Sequence, residues 1–293
     1  MLRALADHGT VTAAAEVLHL TPSAVSQQLA ALESEVGQEL LERRGRRVAI
    51  TSAGRLLLSH ADTILAEVER AEEAMRLYAD GATGEIRVAA FATAITLLVA
   101  PSLTSLRLST PGLRLVVQDA EGHQGITQLL DGEVELAIAV EHRGSPRSDD
   151  ERLTRIPLYA EPFVAVLPAE HPAAAGEAVD LAALSSDDWV TPSVGNPVRD
   201  VVLLACEQAG FQPRIVHFSD DFRSVAALVA AGAGVALMPR LALRDSNPGT
   251  AVIRPLRDPT PTRRVFAATR TSRADHPLVA ATIAALLEAA EKL

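Results

Sequence analysis

Apolar residues recur at helical spacing along the N-terminal stretch of the chain, and they predict two short helices joined by a tight turn at residues 19–20. The first of these helices would bury Val17 among its apolar positions. In the second, Val25, Leu29 and Leu32 stand at i, i+4 and i+7, which places all three on one inward face. The pattern indicates a helical hairpin with an apolar face and a polar face.

The outward face of the second helix carries small and amide side chains. Thr21 is suited to the N-cap position and Pro22 to the first helical position. Ser23, Ser26 and Gln27 can hydrogen-bond base edges or phosphates, and they are short enough for the helix to approach a DNA major groove. Taken alone, an ordinary helical hairpin with a polar outer face explains this stretch equally well.

A basic turn and a short strand follow the hairpin. Residues 42–47 hold a run of arginines, and residues 48–50 have the character of a strand. Together they predict a β-hairpin wing with Arg46 and Arg47 at its tip, where arginine fits a narrow minor groove or the phosphate backbone. A solvated charged turn is the alternative. The immediate succession of a helix-turn-helix and an arginine-tipped wing favours a DNA-binding domain.

Two runs carry a resemblance to a known family. The runs AAAEVLHLTPSAVSQQLAALE and LLERRGRRVAITSAG, with their spacing, are similar to the DNA-binding domain of LysR-type transcriptional regulators over residues 2–58. The resemblance implies a sequence-specific regulator that binds a two-fold site in double-stranded DNA as a homodimer or, more favoured, a homotetramer, with RNA polymerase as a further candidate partner. Gln27 departs from the family, which often has arginine there.

A heptad pattern follows the wing. Its apolar positions, spaced alternately by four and three residues, are Leu57, Ala61, Ile64, Val68, Ala71 and Met75. So long a seam predicts a helix that dimerises with a partner helix, and the resemblance implies the same; packing on its own domain is the alternative. Residues 80–84 then predict a flexible joint.

From Glu85 the pattern alternates between strands and helices, which predicts a parallel sheet with helices on both faces. A second alternating set follows, and a strand at 265–268 returns to the first set. The expected architecture is α/β overall, with a periplasmic-binding-protein-like, two-lobed effector domain. The predicted domains are a winged helix-turn-helix at 1–58, a linker helix and hinge at 59–84, and an effector-binding domain at 85–293, with lobe I at about 85–160 plus 268–293 and lobe II at about 161–267.

Four turns at strand ends or helix starts face the expected cleft between the lobes, and the resemblance implies the same segments. The candidate effector-binding residues are Ala92, Thr93, His123, Gln124, Ser193, Asn196, Ser219, Asp221 and Phe222. Helix N-termini at these turns would offer free N–H groups to a carboxylate or phosphate on the effector. Asp220 and Asp221 would instead favour an amino group. Each polar residue in the set has the simpler explanation that it only caps a helix.

Composition restricts the function further. The formal net charge is −10 and the hydrophobic content 48%, so the chain is a folded acidic protein whose DNA-binding surface must be local. Cys206 is the single cysteine, which excludes an internal disulfide and a multi-cysteine zinc site. The start of the chain lacks a signal-peptide pattern, and no apolar run suited to a membrane span is seen, so we expect a cytoplasmic protein without a membrane partner.

Two other functions compete with a regulator. An enzyme on the two-lobed fold would need a catalytic or metal-binding motif, and the common ones are absent from the sequence. A transporter's solute-binding protein would not carry the N-terminal module. The glycines at 232–234 follow a predicted helix and precede a strand, so they predict a C-cap turn and not a phosphate-binding loop. We therefore expect no catalytic residues, metal or cofactor, and a small-molecule effector of unknown identity.

Overall fold

The computed structural model describes residues 1–44, 47–80, 84–121, 123–142, 150–244 and 248–293, with the backbone alone described at 43, 44, 47, 74 and 76–80. Contacts divide the chain into a unit at Met1–Arg76 and a unit at Leu77–Leu293.

The N-terminal unit has the predicted order of a winged helix-turn-helix. Its elements are α1 (Leu2–His8), α2 (Val11–Val17), α3 (Pro22–Val36), β1 (Leu41–Arg44), β2 (Arg47–Ile50) and the long helix α4 (Ser52–Asp80), whose last turn lies in the second unit. Strands β1 and β2 pair antiparallel, from Leu41 opposite Ile50 to Arg44 opposite Arg47. The predicted wing is confirmed in its backbone, and residues 45–46 at its tip, including Arg46, lie outside the described residues.

Side-chain caps start the helices where the sequence predicts. Thr21 Oγ1 accepts a hydrogen bond from the Ala24 N–H at 3.2 Å, and Pro22 is the first residue of α3. The turn before it passes through His19, whose φ of 53° lies in the left-handed region. The prediction for Val17 was wrong: it is the last residue of α2 and its side chain is 41% exposed.

The base of the wing is tied to both neighbouring helices. Glu33 Oε1, on α3, accepts hydrogen bonds from the N–H groups of Leu40 and Leu41 at 2.8 and 2.9 Å. On the other side, a Cβ at Gly54 of α4 would lie 2.4 Å from the carbonyl oxygen of Leu40 and 2.6 Å from Cγ2 of Ile50. Only glycine lets α4 approach the wing this closely. The wing is therefore held at its base independently of the arginines at its tip.

Helix α4 presents part of the predicted heptad seam to solvent. Leu57 is half-buried against the core of the winged domain, and Ala61 is also half-buried. The seam residues that follow are exposed: Ile64, Val68, Ala71 and Met75. Arg3 on α1 forms a bidentate ion pair with Asp62, which fixes the start of α4 to the domain core. The seam available to a partner helix therefore begins near Ile64.

The second unit alternates strands and helices. Its elements are β3 (Gly84–Ala90), α5 (Ala92–Ala94), a π-helical segment (Ile95–Val99), α6 (Ala100–Ser109), β4 (Leu113–Asp119), α7 (Gln124–Leu130), β5 (Leu136–Val140), β6 (Leu153–Leu167), β7 (Asp188–Thr191), α8 (Pro197–Gln208), β8 (Arg214–Phe218), α9 (Phe222–Ala230), β9 (Ala236–Pro239), β10 (Val252–Pro255), β11 (Thr262–Arg270) and α10 (Pro277–Ala290). Short 3-10 helices lie at Pro172–Ala175, Leu181–Leu184, Arg240–Leu243 and Thr271–Arg273.

The main sheet has the strand order β10-β6-β11-β5-β3-β4, and β9 pairs with β6. Strand β3 is parallel to β4 and β5, as the alternation of elements predicts. Strand β11 is antiparallel to β5 and β6. Strands β7 and β8 form a separate parallel pair, joined to the start of β9 by a bridge between Trp189 and Val235.

Two strands, β6 and β11, carry the chain between the lobes. The first part of β6 pairs with β11, and its last residues, from Phe163, pair with β9 and β10 of lobe II. From the apolar run at 163–167, the sequence predicts only the second part of β6 as a strand. Arg155 and Glu161 interrupt the apolar pattern in the first part of β6, so the pattern does not show where this strand begins. The strand predicted at 265–268 to return to the first set is confirmed, because β11 pairs with β5 from Val265 to Ala268.

Helical packing completes lobe I. The helical stretch Ala92–Ser109 is, by length and composition alone, apolar enough to cross a membrane. In the structure its Leu98 and Val99 are buried in the core of lobe I, and Ser102 Oγ donates to the carbonyl of Ala285 on α10 at 3.0 Å. The stretch is a core helix of the α/β lobe.

The glycine turn after α9 is confirmed as a helix C-cap. Gly232 has φ 82° directly after the helix, and Gly234 has φ 141°. A Cβ at Gly234 would lie 2.3 Å from the carbonyl oxygen of Asp188, so β9 can approach β7 only with glycine there. The two glycines therefore serve chain reversal and close packing.

Candidate functional site

The candidate DNA-binding residues of α3 share one exposed face. These residues are Thr21, Pro22, Ser23, Ser26 and Gln27. Val25 and Leu29 of the same helix are buried in the core of the domain. Thr21 Oγ1 lies 3.1 Å from Ser23 Oγ, so the two hydroxyls at the helix start are adjacent. The face is polar and exposed, and its hydroxyl and amide groups can hydrogen-bond base edges in a major groove.

Of the two predicted wing arginines, Arg47 lies in the described backbone of the hairpin. Arg47 is the first residue of β2, opposite Arg44 at the tip of the hairpin, and Arg46 lies beyond the described residues. The backbone of the hairpin therefore brings Arg47 to the wing tip.

A cavity of about 520 Å³ lies between the two lobes of the second unit. Five of the candidate effector residues line it: Ala92, Thr93, Asn196, Asp221 and Phe222. Phe91, Leu97 and Val140 add an apolar wall on the side of lobe I. The volume is suited to a small molecule.

A second cavity of about 550 Å³ adjoins the first. It is lined by the candidates His123, Gln124 and Ser193, and again by Asn196. Ser219 lines neither cavity, and its Oγ instead hydrogen-bonds the backbone of Asp221 at 3.3 Å. The structure thus divides the candidate set between two cavities.

Three residues line both cavities and form a partition between them: Glu121 from lobe I, and Asn196 and Asp220 from lobe II. The Asn196 side-chain amide donates to Asp220 Oδ1 at 3.0 Å and to Glu121 Oε2 at 3.4 Å. The Ser193 N–H also donates to Asp220 Oδ1, at 3.0 Å. One amide group thus joins carboxylates of opposite lobes.

The helix starts that face the cleft are capped by the protein itself. Asn196 Oδ1 accepts from the Val198 N–H of α8 at 3.0 Å, and Asp221 Oδ1 accepts from the Arg223 N–H of α9 at 2.9 Å. The expectation that these helix starts offer free N–H groups to an anionic effector therefore fails at the one capped amide of each start. The sequence permitted capping as the simpler alternative.

Glu121 is the electrostatic centre of the partition. Its carboxylate accepts a hydrogen bond from the Ala92 backbone and stays open to solvent in the cleft. Its pKa lies above the ordinary range, first because the carboxyl is partly desolvated and then because Asp119 and Asp220 repel its charge. The Ala92 N–H and the more distant Arg263 oppose the shift. Glu121 was not among the predicted site residues, although it directly precedes one of the predicted turns.

A buried ion pair supports the floor of the cleft. Arg263 Nε lies 2.6 Å from Glu161 Oε1, and the two side chains are 1% and 2% exposed. Arg263 Nη2 donates to Thr93 Oγ1 at 3.1 Å, and the Leu241 N–H donates to Glu161 Oε2 at 2.6 Å. Arg263 and Glu161 are direct cross-strand partners on the strands that join the lobes. The sequence signal was a charged residue inside each of two apolar strand runs.

The chain's single thiol lies away from the cleft. Cys206 is fully buried on α8 in the core of lobe II, and burial raises its pKa to about 12. Within the described residues, no group of three or more histidine, cysteine, aspartate or glutamate side chains is arranged to hold a metal ion.

Comparison with known proteins accounts for both units. Residues 1–55 match the model for the bacterial regulatory helix-turn-helix protein, lysR family, and residues 79–291 match that for the LysR substrate binding domain. The hydrogen peroxide-inducible genes activator of Dickeya chrysanthemi is 31% identical over 242 residues, covering 83% of this chain and 78% of that protein. The HTH-type transcriptional regulator ShiR of Corynebacterium glutamicum (strain R) is 34% identical over 239 residues, covering 77% and 79%.

A solved structure has the same fold along the whole chain. A cysteine mutant of OxyR from Corynebacterium glutamicum aligns with a TM-score of 0.64 at 26% identity, over 99% of this chain and 90% of that one. The match of the substrate-binding model to most of the chain shows the family, and these are regulators and not enzymes. The chain belongs to the LysR family of transcriptional regulators, with a DNA-binding helix-turn-helix domain followed by an effector-binding domain of two α/β lobes.

Proposed function

We propose that the protein binds a two-fold DNA site as a dimer, with the exposed face of α3 in the major groove and the wing on the backbone or minor groove. The single observation that carries this assignment is the polar outer face of α3, exposed from Thr21 to Gln27 around the buried Val25. Ser26 and Gln27 contact base edges, and Arg46 and Arg47 contact phosphates or a narrow groove. Because the protein binds DNA as a bacterial regulator, its proposed location is the cytoplasm.

The residue roles predict different effects on DNA binding. Ser26→Ala is expected to change the ranking of operator sequences, because it removes a group that contacts bases. Arg46→Ala with Arg47→Ala is expected to weaken binding to all sequences and to flatten its salt dependence, because phosphate contacts release counterions. The measurement is fluorescence anisotropy on duplexes recovered by genome-wide capture of bound DNA, at several salt concentrations.

Ser186→Ala, at an exposed serine of lobe II, is the matched control and should leave both properties unchanged. The assigned roles are refuted if Ser26→Ala weakens all duplexes equally while the double arginine variant alters sequence preference. Absence of binding to any captured duplex at low salt would refute DNA binding by this surface.

We further propose that a reversibly bound small molecule occupies the cavity between the lobes and changes their geometry, with no metal or prosthetic group. Control requires that the effector bind one geometry more tightly than the other. The hydrogen bond of Asn196 to Glu121 supports this assignment, because it is a contact between lobes that a ligand in the cavity would replace.

Oxidation of a cysteine is not the signal that this protein senses. One relative is named for induction by hydrogen peroxide. In this chain the only cysteine, Cys206, is buried, and the raised pKa keeps it as the unreactive thiol. A single cysteine also cannot form a disulfide within the chain.

Hydrogen peroxide is therefore expected to leave DNA affinity unchanged at concentrations that oxidise exposed thiols. Mass spectrometry of the treated protein should show Cys206 unmodified, with Cys206→Ala as a control for any oxidation of methionine. A peroxide-dependent change in affinity that Cys206→Ala abolishes would contradict this expectation.

A further inference from the structure

We propose that the effector is an organic cation, with an ammonium or guanidinium group bound between the lobes at Glu121 and Asp220 and an apolar part in the neighbouring cavity. The proposal rests on the proposed function of the inter-lobe cavity as the effector site. It adds the chemical class of the ligand.

Carboxylates dominate the described walls of both cavities. The first cavity is lined by Asp119, Glu121, Asp220 and Asp221, and the second by Glu121, Asp131, Glu133 and Asp220. The cationic residues that line the first cavity are Arg223 and Arg263. Arg263 is engaged in its buried ion pair with Glu161, so among the described lining residues Arg223 is the cation left without a buried carboxylate partner to offset the others. An anionic effector would meet a negative surface on entry.

At each helix start that faces the cleft, one backbone amide is already occupied by a side-chain cap. The starts of α8 and α9 are capped by Asn196 and Asp221, and the Ala92 backbone donates to Glu121. A carboxylate or phosphate ligand that bound at one of these capped amides would have to displace the protein's own acceptor.

Within the described residues, Glu121 and Asp220 form no ion pair with a cationic side chain. Asp220 and Glu121 approach each other from opposite lobes, and the only described side-chain donor between them is the neutral amide of Asn196, at 3.0 and 3.4 Å. The raised pKa of Glu121 has the same origin, because Asp119 and Asp220 add to the effect of desolvation. A ligand cation would contact Glu121 and Asp220 together, and would thereby draw the two lobes toward each other.

The apolar residues of the first cavity indicate what the uncharged part of the ligand consists of. Phe91, Leu97 and Val140 from lobe I and Phe222 from lobe II line the first cavity. An aliphatic or aromatic group of a small amine would bury its surface against these side chains. The preferred class is therefore a primary amine or guanidine with an apolar chain, and not a free inorganic cation.

The test compares ligands with a six-carbon chain whose end groups are cationic, neutral or anionic. Isothermal titration of the full-length protein with 1,6-diaminohexane, hexylamine, 1,6-hexanediol and adipate is preceded by thermal-shift screens of amine, guanidine and carboxylate collections. We expect the best binders to be cations, with the diamine or hexylamine binding at least about tenfold more tightly than the diol and adipate. Affinity for the cation should rise as the pH is raised through the elevated pKa of Glu121, because the ionised carboxylate is the form that binds.

Variants assign the site. Glu121→Gln should lower the affinity of the best cation by about ten- to a hundredfold, as expected for loss of one charge-assisted hydrogen bond. Glu177→Gln, at an exposed carboxylate elsewhere on lobe II, is the matched control and should have no effect. An equal loss in both variants would place the binding outside the partition and overturn the proposal.

Two further outcomes would overturn the proposal of a cationic effector. They also distinguish its failure from the failure of the proposed effector site. If carboxylates bind, alter DNA affinity and lose binding in Phe222→Ala, the cavity is the effector site but the ligand is an anion. If no compound of any class binds in the cavity or alters DNA affinity, both the cation and the proposed effector site are wrong.

Discussion

Val68→Asp is expected to convert the protein to monomers and to lower its affinity for a two-fold DNA site by at least about a hundredfold. Val68 is 49% exposed on α4, between the exposed seam residues Ile64 and Ala71. In a dimer the aspartate would face an apolar partner helix and lose its hydration without compensation. Loss of the dimer also loses the simultaneous binding of two half-sites. Light scattering and anisotropy on full and half sites measure the two effects.

Ser59→Asp adds the same charge to the opposite face of the same helix. Ser59 is exposed and lies nine residues from Val68, which is half a rotation around a helix with 3.6 residues per turn. This control should stay dimeric and bind the full site normally. If Val68→Asp stays dimeric as well, the seam does not form the dimer, and the exposed apolar residues of α4 need another explanation.

Arg263→Ala is expected to destabilise the effector domain by about 3–5 kcal/mol. The substitution leaves Glu161 buried at 2% exposure without its charged partner, and it also removes the hydrogen bond to Thr93. An uncompensated buried carboxylate costs far more than the loss of an exposed ion pair. Urea unfolding followed by the fluorescence of the single tryptophan, Trp189 in the core of lobe II, measures the change.

Arg114→Ala provides the comparison. Its ion pair with Glu85 is 3.4 Å long and exposed, so its loss should change the free energy of unfolding by about 0–1 kcal/mol. Replacing both buried partners together, as Arg263→Met with Glu161→Leu, should recover most of the stability lost in Arg263→Ala. If the single variant unfolds like Arg114→Ala, water reaches the site and the pair is not buried in solution.

Local chemistry made the N-terminal domain predictable. The N-cap at Thr21, the proline at Pro22 and the basic hairpin depend on residues close to them in the chain. Their sequence patterns can therefore be recognised without knowing the fold. The alternation of strands and helices in the second unit was predictable for the same reason. The prediction that Val17 is buried was wrong because a seven-residue helix has too few turns for the sequence pattern to define its buried face.

The site required contacts that no local pattern records. Glu121 and Asp220 stand far apart in the chain and come together only through Asn196. Arg263 and Glu161 belong to strands whose pairing depends on the crossing between lobes. The predicted effector residues were expected in one cleft, whereas the structure places them in two cavities on either side of Glu121, Asn196 and Asp220.

The position of the buried ion pair has a consequence for reprogramming the regulator as a biosensor. Arg263 and Glu161 lie on β11 and β6, whereas Asp119, Glu121 and Asp220 lie at strand ends or in loops at the surface of the cleft. The buried ion pair at the cleft floor therefore lies on the two crossing strands, whereas the carboxylates proposed to select the ligand lie outside those strands. Libraries that vary the loop carboxylates and leave the two crossing strands intact should yield folded variants with new inducers at high frequency.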